Sequence, residues 1–295
     1  MTVTIPDEST LIDAATGDRL EGSVIRARAQ EWAALLSSLG AQRVALQADS
    51  SIEWAVIDLA CLQAGIVLTP MPTYLSASQQ AAVIASLQPD IWLSDVVRDD
   101  LEVVAGLRGI HVHRHPVTEH SGVPSGCQKI TFTSGSTGSP KGVCLSAQAQ
   151  WDVAGDLVSR VREFCPGTPR HLCLVPLPTL LENIAGILSP LMAGGEVVIA
   201  PDALRGFSGS RLTDPLRLIT LITQWKPRSL IVVPELLKGL LMACRMGWTP
   251  PASLSFIAVG GARVSSHLLR LSAQAGLPVY QGSVSYTHLT LPTKA

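Results

Sequence analysis

The sequence predicts an α/β protein built from two mainly parallel sheets with helices packed on them. Three observations point there. Segments of helical period alternate with short apolar runs of strand length along most of the chain. Hydrophobic residues make up 47% and charged residues 15%, a balance that suits buried elements rather than disorder. The alternation is broken once, by a looser stretch around residues 111–120, and then resumes, which divides the chain into two α/β units.

In the first unit, Ser23 to Leu39 reads as an amphipathic helix with Val24, Ile25, Trp32, Leu35 and Leu36 among its apolar positions. Ser23 is its expected N-cap and Gly40 its stop. Arg43 to Gln47 reads as a strand and Ser51 to Gly65 as a second helix ending on a glycine. Ile66 to Met71 is a strand closed by Pro70 and Pro72, Ser76 to Leu87 a third helix, and Asp90 to Leu93 a strand. His111, His113, His115 and His120 follow. Carboxylate and cysteine partners at ligand spacing are missing from that stretch, so it reads as a surface connection rather than a metal site. No metal-ligating residue is assigned.

The second unit begins with strand Lys129 to Thr133 and a glycine-rich turn, with a helix from about Ser146. Strand His171 to Val175, helix Asn183 to Met192 and strand Glu196 to Ala200 come next. Helix Pro215 to Trp225, strand Ser229 to Val233, helix Glu235 to Met246, strand Ser255 to Val259 and helix Ser265 to Ala275 complete the alternation before a last strand at Pro278 to Gln281. The expected division is 1–125 for the first subdomain, 126–282 for the second, and 283–295 for a separate tail.

Several function classes are disfavoured. With 22 basic and 23 acidic residues the net charge is -1, so no electrostatic footprint for nucleic acid is expected. The mean hydropathy is +0.32, yet the richest apolar run, Ile184 to Gly195, is too short to span a bilayer. Peripheral membrane contact through an exposed apolar patch stays open. The six cysteines include no C-x-x-C spacing and read as free thiols of a reducing compartment. Met1 to Thr10 has no basic-then-apolar signal pattern, and a cytoplasmic location is the expectation.

The informative stretch is Thr131-Phe132-Thr133-Ser134-Gly135-Ser136-Thr137-Gly138-Ser139-Pro140-Lys141-Gly142. Gly135, Gly138 and Gly142 let the backbone approach a ligand closely. Successive turn N–H groups can form an anion-binding nest. Thr133, Ser134, Ser136 and Thr137 add hydroxyl donors, Lys141 adds a compact positive charge suited to phosphate, and Pro140 limits rearrangement. A strand before and a helix after would put this loop at the C-terminal edge of a sheet. The spacing matches neither the Walker loop nor the dinucleotide fingerprint.

That segment resembles the signature of the adenylate-forming (AMP-binding) superfamily, which includes acyl-CoA synthetases, luciferases and adenylation domains of peptide synthetases. Leu62 to Pro72 resembles an early segment of the family. Val175-Pro176-Leu177-Pro178-Thr179-Leu180-Leu181-Glu182-Asn183 resembles its substrate-side motif, and Val259-Gly260-Gly261-Ala262 the turn that flanks adenine. The resemblance runs through most of residues 1–282 and is strongest to long-chain acyl-CoA synthetases. Thr179 stands where those carry a His or aromatic gate residue, and Ser146 is followed by Ala147 where the family often has His. The resemblance implies two doubly wound, mainly parallel sheet subdomains of the family's large N-terminal domain, here incomplete. It implies ATP, magnesium and coenzyme A as cofactors, a small-molecule carboxylic acid as partner, and ligase chemistry. Ser134, Gly135, Ser136, Thr137, Gly138 and Lys141 would surround the leaving phosphates, with Lys141 and Thr137 as the catalytic pair and Thr133 and Gly142 beside them. Gly260, Gly261 and Ala262 would line the adenine face. Thr179, Leu180 and Glu182 would lie near the acyl channel, Glu182 reading equally well as a helix-start carboxylate. The apolar run Leu180 to Leu191 suits a fatty acid. Aryl acids stay open, an amino acid is disfavoured because no acidic group is evident to meet an ammonium, and a non-catalytic nucleotide-binding module is the alternative from another class.

Family members continue from the adenine turn into a Gly-Tyr-Gly-x-Thr-Glu motif whose Thr contacts phosphate and whose Glu helps hold magnesium. A ribose-binding Asp and a small mobile domain with a catalytic Lys follow. This chain reaches Val279-Tyr280-Gln281-Gly282, the expected lead-in, and then departs. Val284 to Thr293 back-translates as GTC TCT TAT ACA CAT CTG ACG CTG CCG ACG, which resembles a transposon-type sequencing-library adapter. The expectation is that native sequence ends near Gly282, and that the chain as written does not complete adenylation at a useful rate.

Overall fold

Strands rich in Val, Ile and Leu form the parallel centres of two sheets, and less regular, antiparallel strands form edges. The structure, a computed structural model, describes residues 5–116, 122–133, 141–285 and 288–294. The chain divides into two units, one holding residues 24–151 and the other residues 4–23 with 152–295. The boundary expected at 125/126 therefore falls inside the first unit. The reason is strand pairing: Lys129 is the parallel partner of Leu68, which ties the strand at 129–133 to the first sheet.

The chain opens with β1 (Thr10–Asp13) and β2 (Arg19–Glu21), which belong to the second unit. Helix α1 (Gly22–Ser38) leads into the first unit, whose elements are β3 (Arg43–Gln47), α2 (Ile52–Ala64), β4 (Val67–Pro70), α3 (Ala77–Leu87) and β5 (Ile91–Ser94). Local chemistry sets the helix ends. Ser51 Oγ accepts from the Trp54 amide, and Gly65 closes α2 in the left-handed region at φ 70°. Ser76 and Gln79 form a reciprocal capping box on α3.

The unit continues with β6 (Glu102–Leu107), β7 (Ile110–Arg114), β8 (Lys129–Thr133) and β9 (Lys141–Leu145). The strand order is β6-β7-β5-β3-β4-β8-β9. Pairs β5/β3, β3/β4 and β4/β8 are parallel, and the flanking pairs are antiparallel. The surface connection expected at 111–120 thus begins as a strand. His111 and His113 sit in β7, and His113 is buried opposite Trp92. His120 lies outside the described residues. Ala45, Met71, Val83, Leu87, Trp92 and Ile130 form part of this unit's core.

Helix α4 (Ala147–Phe164) carries the chain into the second unit. There follow β10 (Arg170–Cys173), a π-helical segment (Glu182–Leu188), α5 (Ser189–Met192), β11 (Glu196–Ile199) and the short α6 (Asp202–Arg205). A small hairpin of β12 (Phe207–Ser208) and β13 (Arg211–Leu212) precedes α7 (Pro215–Trp225). The last elements are β14 (Ser229–Val232), α8 (Pro234–Arg245), β15 (Phe256–Val259), α9 (Ser266–Gln274), β16 (Val279–Ser285) and β17 (His288–Lys294). The order is β17-β16-β15-β14-β10-β11-β1-β2. From β16 to β1 every pair is parallel; β2 and β17 are antiparallel edges. Leu172, Leu174, Leu218, Ile222, Leu230, Leu237 and Ile257 lie in one apolar cluster at its centre.

Candidate active site

In the first unit the expected phosphate segment is carried by β8 and β9. Thr133 and Lys141 are cross-strand partners, as are Phe132 and Gly142. Ser134, Gly135, Ser136, Thr137 and Gly138 lie outside the described residues, and of Thr133 and Lys141 only the backbone is described. The helix expected straight after the loop is preceded by β9, so the loop joins an antiparallel pair rather than a strand and a helix N-terminus. Gly142 has a packing reason to be glycine: a Cβ there would meet Ile130 Cγ2 at 2.9 Å and the Phe132 ring at 3.3 Å.

Beneath this hairpin lies a charged pair. Lys129 Nζ stands 2.8 Å from Asp58 Oδ1 and 3.0 Å from Oδ2, and both side chains are 1% exposed. Asp58 comes from α2 and Lys129 opens β8, so the pair clamps the strand that leads into the loop. The buried Cys61 thiol on the same helix is pushed well above its ordinary range by burial and then by the Asp58 charge.

In the second unit, β10, β11, β14 and β15 run parallel, so the connections leaving them start at one edge of the sheet, where α/β proteins place ligands. Gly260, Gly261 and Ala262 follow β15 directly. The Gly260 amide donates to the Val232 carbonyl at 3.1 Å. Gly261 has φ +81°, and a Cβ there would press on Val233 Cγ1 at 3.3 Å, so this turn requires glycine on two grounds.

Thr179 lies in the connection after β10; its amide donates to the Pro176 carbonyl, and its carbonyl accepts from the Asn183 amide. Leu180 is buried. Glu182 is fully buried, and its Oε1 lies 2.8 Å from His171 Nε2. His171 Nδ1 in turn lies 3.0 Å from Ser229 Oγ. Glu182 thus opens the π-helical segment, as the helix-start reading holds, and points into the protein core. Gly186 makes the arrangement fit, because a Cβ there would sit 2.5 Å from Glu182 Oε1 and 2.7 Å from His171 Nε2. Among the described residues His171, Cys173 and Glu182 are close enough to share an ion. Burial, followed by the charge of Glu182, holds the Cys173 thiol well above its ordinary range. A soft thiol inside a closed core does not suit magnesium, which takes oxygen ligands and keeps waters.

A cavity of about 140 Å³ lies beside this group, between one face of α4 and the sheet. Val158 and Val161 of α4, Leu181 and Ala185 of the π-helical segment, and Ile231, Ala258 and Val259 of the strands make it mainly apolar. His171, Ser189 and Ser229 supply polar atoms to its lining, and Asp156 and Arg162 lie on the exposed side of α4. Val259 reaches the cavity immediately before the Gly260 turn. Leu181 lies in the wall, next to the expected acyl residues Thr179, Leu180 and Glu182, which are not among the lining residues. His171 and Ser229 were missed. The one sequence signal was a histidine inside an otherwise apolar strand run, His171-Leu172-Cys173-Leu174-Val175.

A family model described as "AMP-binding enzyme" matches residues 4–282. The chain belongs to this family. Members among curated proteins include the beta-alanyl-bioamine nonribosomal peptide synthetase ebony of Drosophila melanogaster. It is 34% identical over 124 residues, which is 40% of this chain and 12% of that protein. The L-proline--[L-prolyl-carrier protein] ligase of Pseudomonas fluorescens is 26% identical over 237 residues, 72% of this chain and 45% of that protein. ATP-bound MatB of Rhodopseudomonas palustris superposes with a TM-score of 0.72 at 20% identity, covering 98% of this chain and 59% of MatB; that likeness concerns the fold. The chain therefore spans less than half the length of these two curated AMP-binding relatives.

Proposed function

We propose that this AMP-binding chain is the N-terminal part of an acid–thiol ligase. The acid's carboxylate oxygen attacks the α-phosphorus of ATP, the bond to pyrophosphate breaks, and an acyl-adenylate forms. The thiolate of coenzyme A then attacks the acyl carbonyl and AMP leaves, the thiol proton passing to solvent. The observation that carries this reading is the family match over residues 4–282 together with a mainly apolar cavity lined in part by Val259, beside the Gly260 turn.

The chain's own residues have assigned parts. Ser134, Gly135, Ser136, Thr137, Gly138 and Lys141 hold the departing phosphates, with Thr133 and Gly142 at the ends of the segment. The catalytic demand is alignment of two reactants and stabilisation of charge on phosphate oxygens, which preorganised N–H, O–H and ammonium donors supply. Gly260, Gly261 and Ala262 flank adenine, and Leu181 takes the place expected of the acyl-channel residues. Magnesium is proposed to enter with ATP and to lower the charge on its phosphates. Among the described residues the one candidate group, His171, Cys173 and Glu182, does not suit it. An apolar lining suits an apolar acid, a fatty acid or an aryl acid.

A second reading is an adenylation domain for an amino acid that delivers to a carrier-protein thiol. The two curated relatives named above are a peptide synthetase and a carrier-protein ligase, and Asp156 gives the cavity one carboxylate. The apolar wall favours the first reading.

Isothermal titration of ATP into the 295-residue chain tests the phosphate assignment. Saturable binding is expected, and Lys141→Ala is expected to cost about 1 kcal/mol, because a solvated ammonium contributes modestly. Wild-type affinity in a variant with Lys141, Ser134 and Thr137 all changed to Ala would sink the assignment. Sequencing the locus across codon 282 tests the expectation about the tail. A native frame running on into Gly-Tyr-Gly-x-Thr-Glu supports it, and an uninterrupted native frame ending at Ala295 opposes it.

A further inference from the structure

The cavity between α4 and the second sheet has a definite size and lining. Its volume is about 140 Å³. An apolar cavity of roughly 150 Å³ stays dry and takes a molecule the size of benzene. Cys165 and Phe256 line it, Phe256 at the start of β15 and Val259 at its end. Phe256 is backed by two more rings, Tyr280 at 4.9 Å and Phe164 beside Tyr280 at 4.8 Å between centroids.

One polar group in the wall is well ordered. Glu182 is an acceptor when ionised, so the hydrogen bond at 2.8 Å is donated by His171 Nε2. In the neutral ring Nδ1 then accepts from the Ser229 hydroxyl, 3.0 Å away. Ser229 Oγ keeps lone pairs for a further donor. His171 and Ser229 are both cavity residues, on the neighbouring strands β10 and β14.

We propose that the acid this chain accepts is an aromatic acid of benzoate size, its ring in this cavity and a hydroxyl or amino substituent donating to Ser229. The inference rests on the ligase reading, since that reading is what makes the cavity the acid's site. Val259 marks the carboxylate end and Phe256 the ring end. A volume of about 140 Å³ suits a ring better than a long alkyl chain.

Direct titration of the 295-residue chain with benzoate, 3-hydroxybenzoate and dodecanoate tests it without requiring turnover. Benzoate and 3-hydroxybenzoate are expected to bind, and dodecanoate to bind about tenfold more weakly or not at all, a 1.4 kcal/mol difference. Ala258→Leu and Ala185→Leu each fill the void and are expected to weaken benzoate by about tenfold or more. Two positions are used so that one poorly folded variant, recognised by its circular dichroism, leaves the other to decide. Ser229→Ala is expected to remove the advantage of 3-hydroxybenzoate over benzoate and to leave benzoate binding in place. Dodecanoate binding more tightly than benzoate, benzoate binding unmoved by both cavity-filling changes, or no acid binding at all would overturn the inference. A failure to bind ATP in the parallel titration would instead strike the ligase reading, while benzoate and its cavity-filling variants still report on the cavity.

Discussion

Lys129 and Asp58 show how single residues set the conditions for the rest. Each is 1% exposed, and each neutralises the other where water cannot. Removing one partner leaves the other's buried charge without this counter-charge. Lys129→Met is therefore expected to cost about 3–5 kcal/mol of stability in a urea titration, and Asp58→Leu with Lys129→Met to recover most of it. A single variant as stable as wild type would contradict this. Glu196 makes a pH-dependent contribution. Partial burial raises its pKa, but the guanidinium groups of Arg19 and Arg170 outweigh that and hold it below the ordinary glutamate range. The group's folded value is thus depressed. Its stabilisation is present above the ordinary glutamate value and is lost as pH falls through the folded value. Glu196→Gln is expected to flatten the stability-versus-pH curve in that acid window and to leave its slope above neutrality unchanged, as read by thermal melts. Little of this was legible in sequence, because neither Lys129 nor Glu196 carries a local sign that its partner lies 71 or 26 residues away.

At the scale of elements, legibility follows the range of the interactions that decide each one. Helices α2, α3 and α9 announce themselves through Ser51, Ser76 and Ser265, whose hydroxyls accept from amides three residues on. Strands β3, β8 and β14 are short apolar runs bounded by turns and were readable for that reason. β1 was not readable, because it forms by pairing with β11, some 186 residues later in register, as Thr10 with Glu196, and β2 forms only as an antiparallel edge on β1. β9 was hidden by the Pro140-Lys141-Gly142 run, which reads as loop until Phe132 and Ile130 are seen to pack on Gly142. The π-helical segment has no local signature either. It is held by a buried Glu182–His171 bond that only Gly186 leaves room for. Gly186→Ala is expected to lose about 1–3 kcal/mol in denaturant titration, the cost of forcing a methyl into a packed site. An unchanged midpoint would show that the segment relaxes without strain.

For the whole molecule, the fold class and the family were legible because they rest on many residues acting in the same direction. The candidate site was legible in part. The glycine turn after β15 was readable from glycine spacing, and the expected phosphate segment lies largely outside the described residues. The cavity beneath α4 was not readable, because His171, Ser229, Phe256 and the face of α4 converge only after folding. The strand order explains why Leu181, Ala258 and the Gly260 turn come to one edge of the second sheet: β10, β14 and β15 are adjacent and parallel. The AMP-binding match covers residues 4–282, and β17 lies beyond it.

The central claim is that this chain belongs to a ligase that activates a carboxylic acid by forming its adenylate. ATP–pyrophosphate exchange, measured on the chain encoded by the verified locus, tests that claim most directly. Exchange that requires an added acid, and that falls when Lys141 and Thr137 are both changed to alanine, is the expected result. ATP binding with no acid-dependent exchange, across aromatic, aliphatic and amino acids alike, would contradict it.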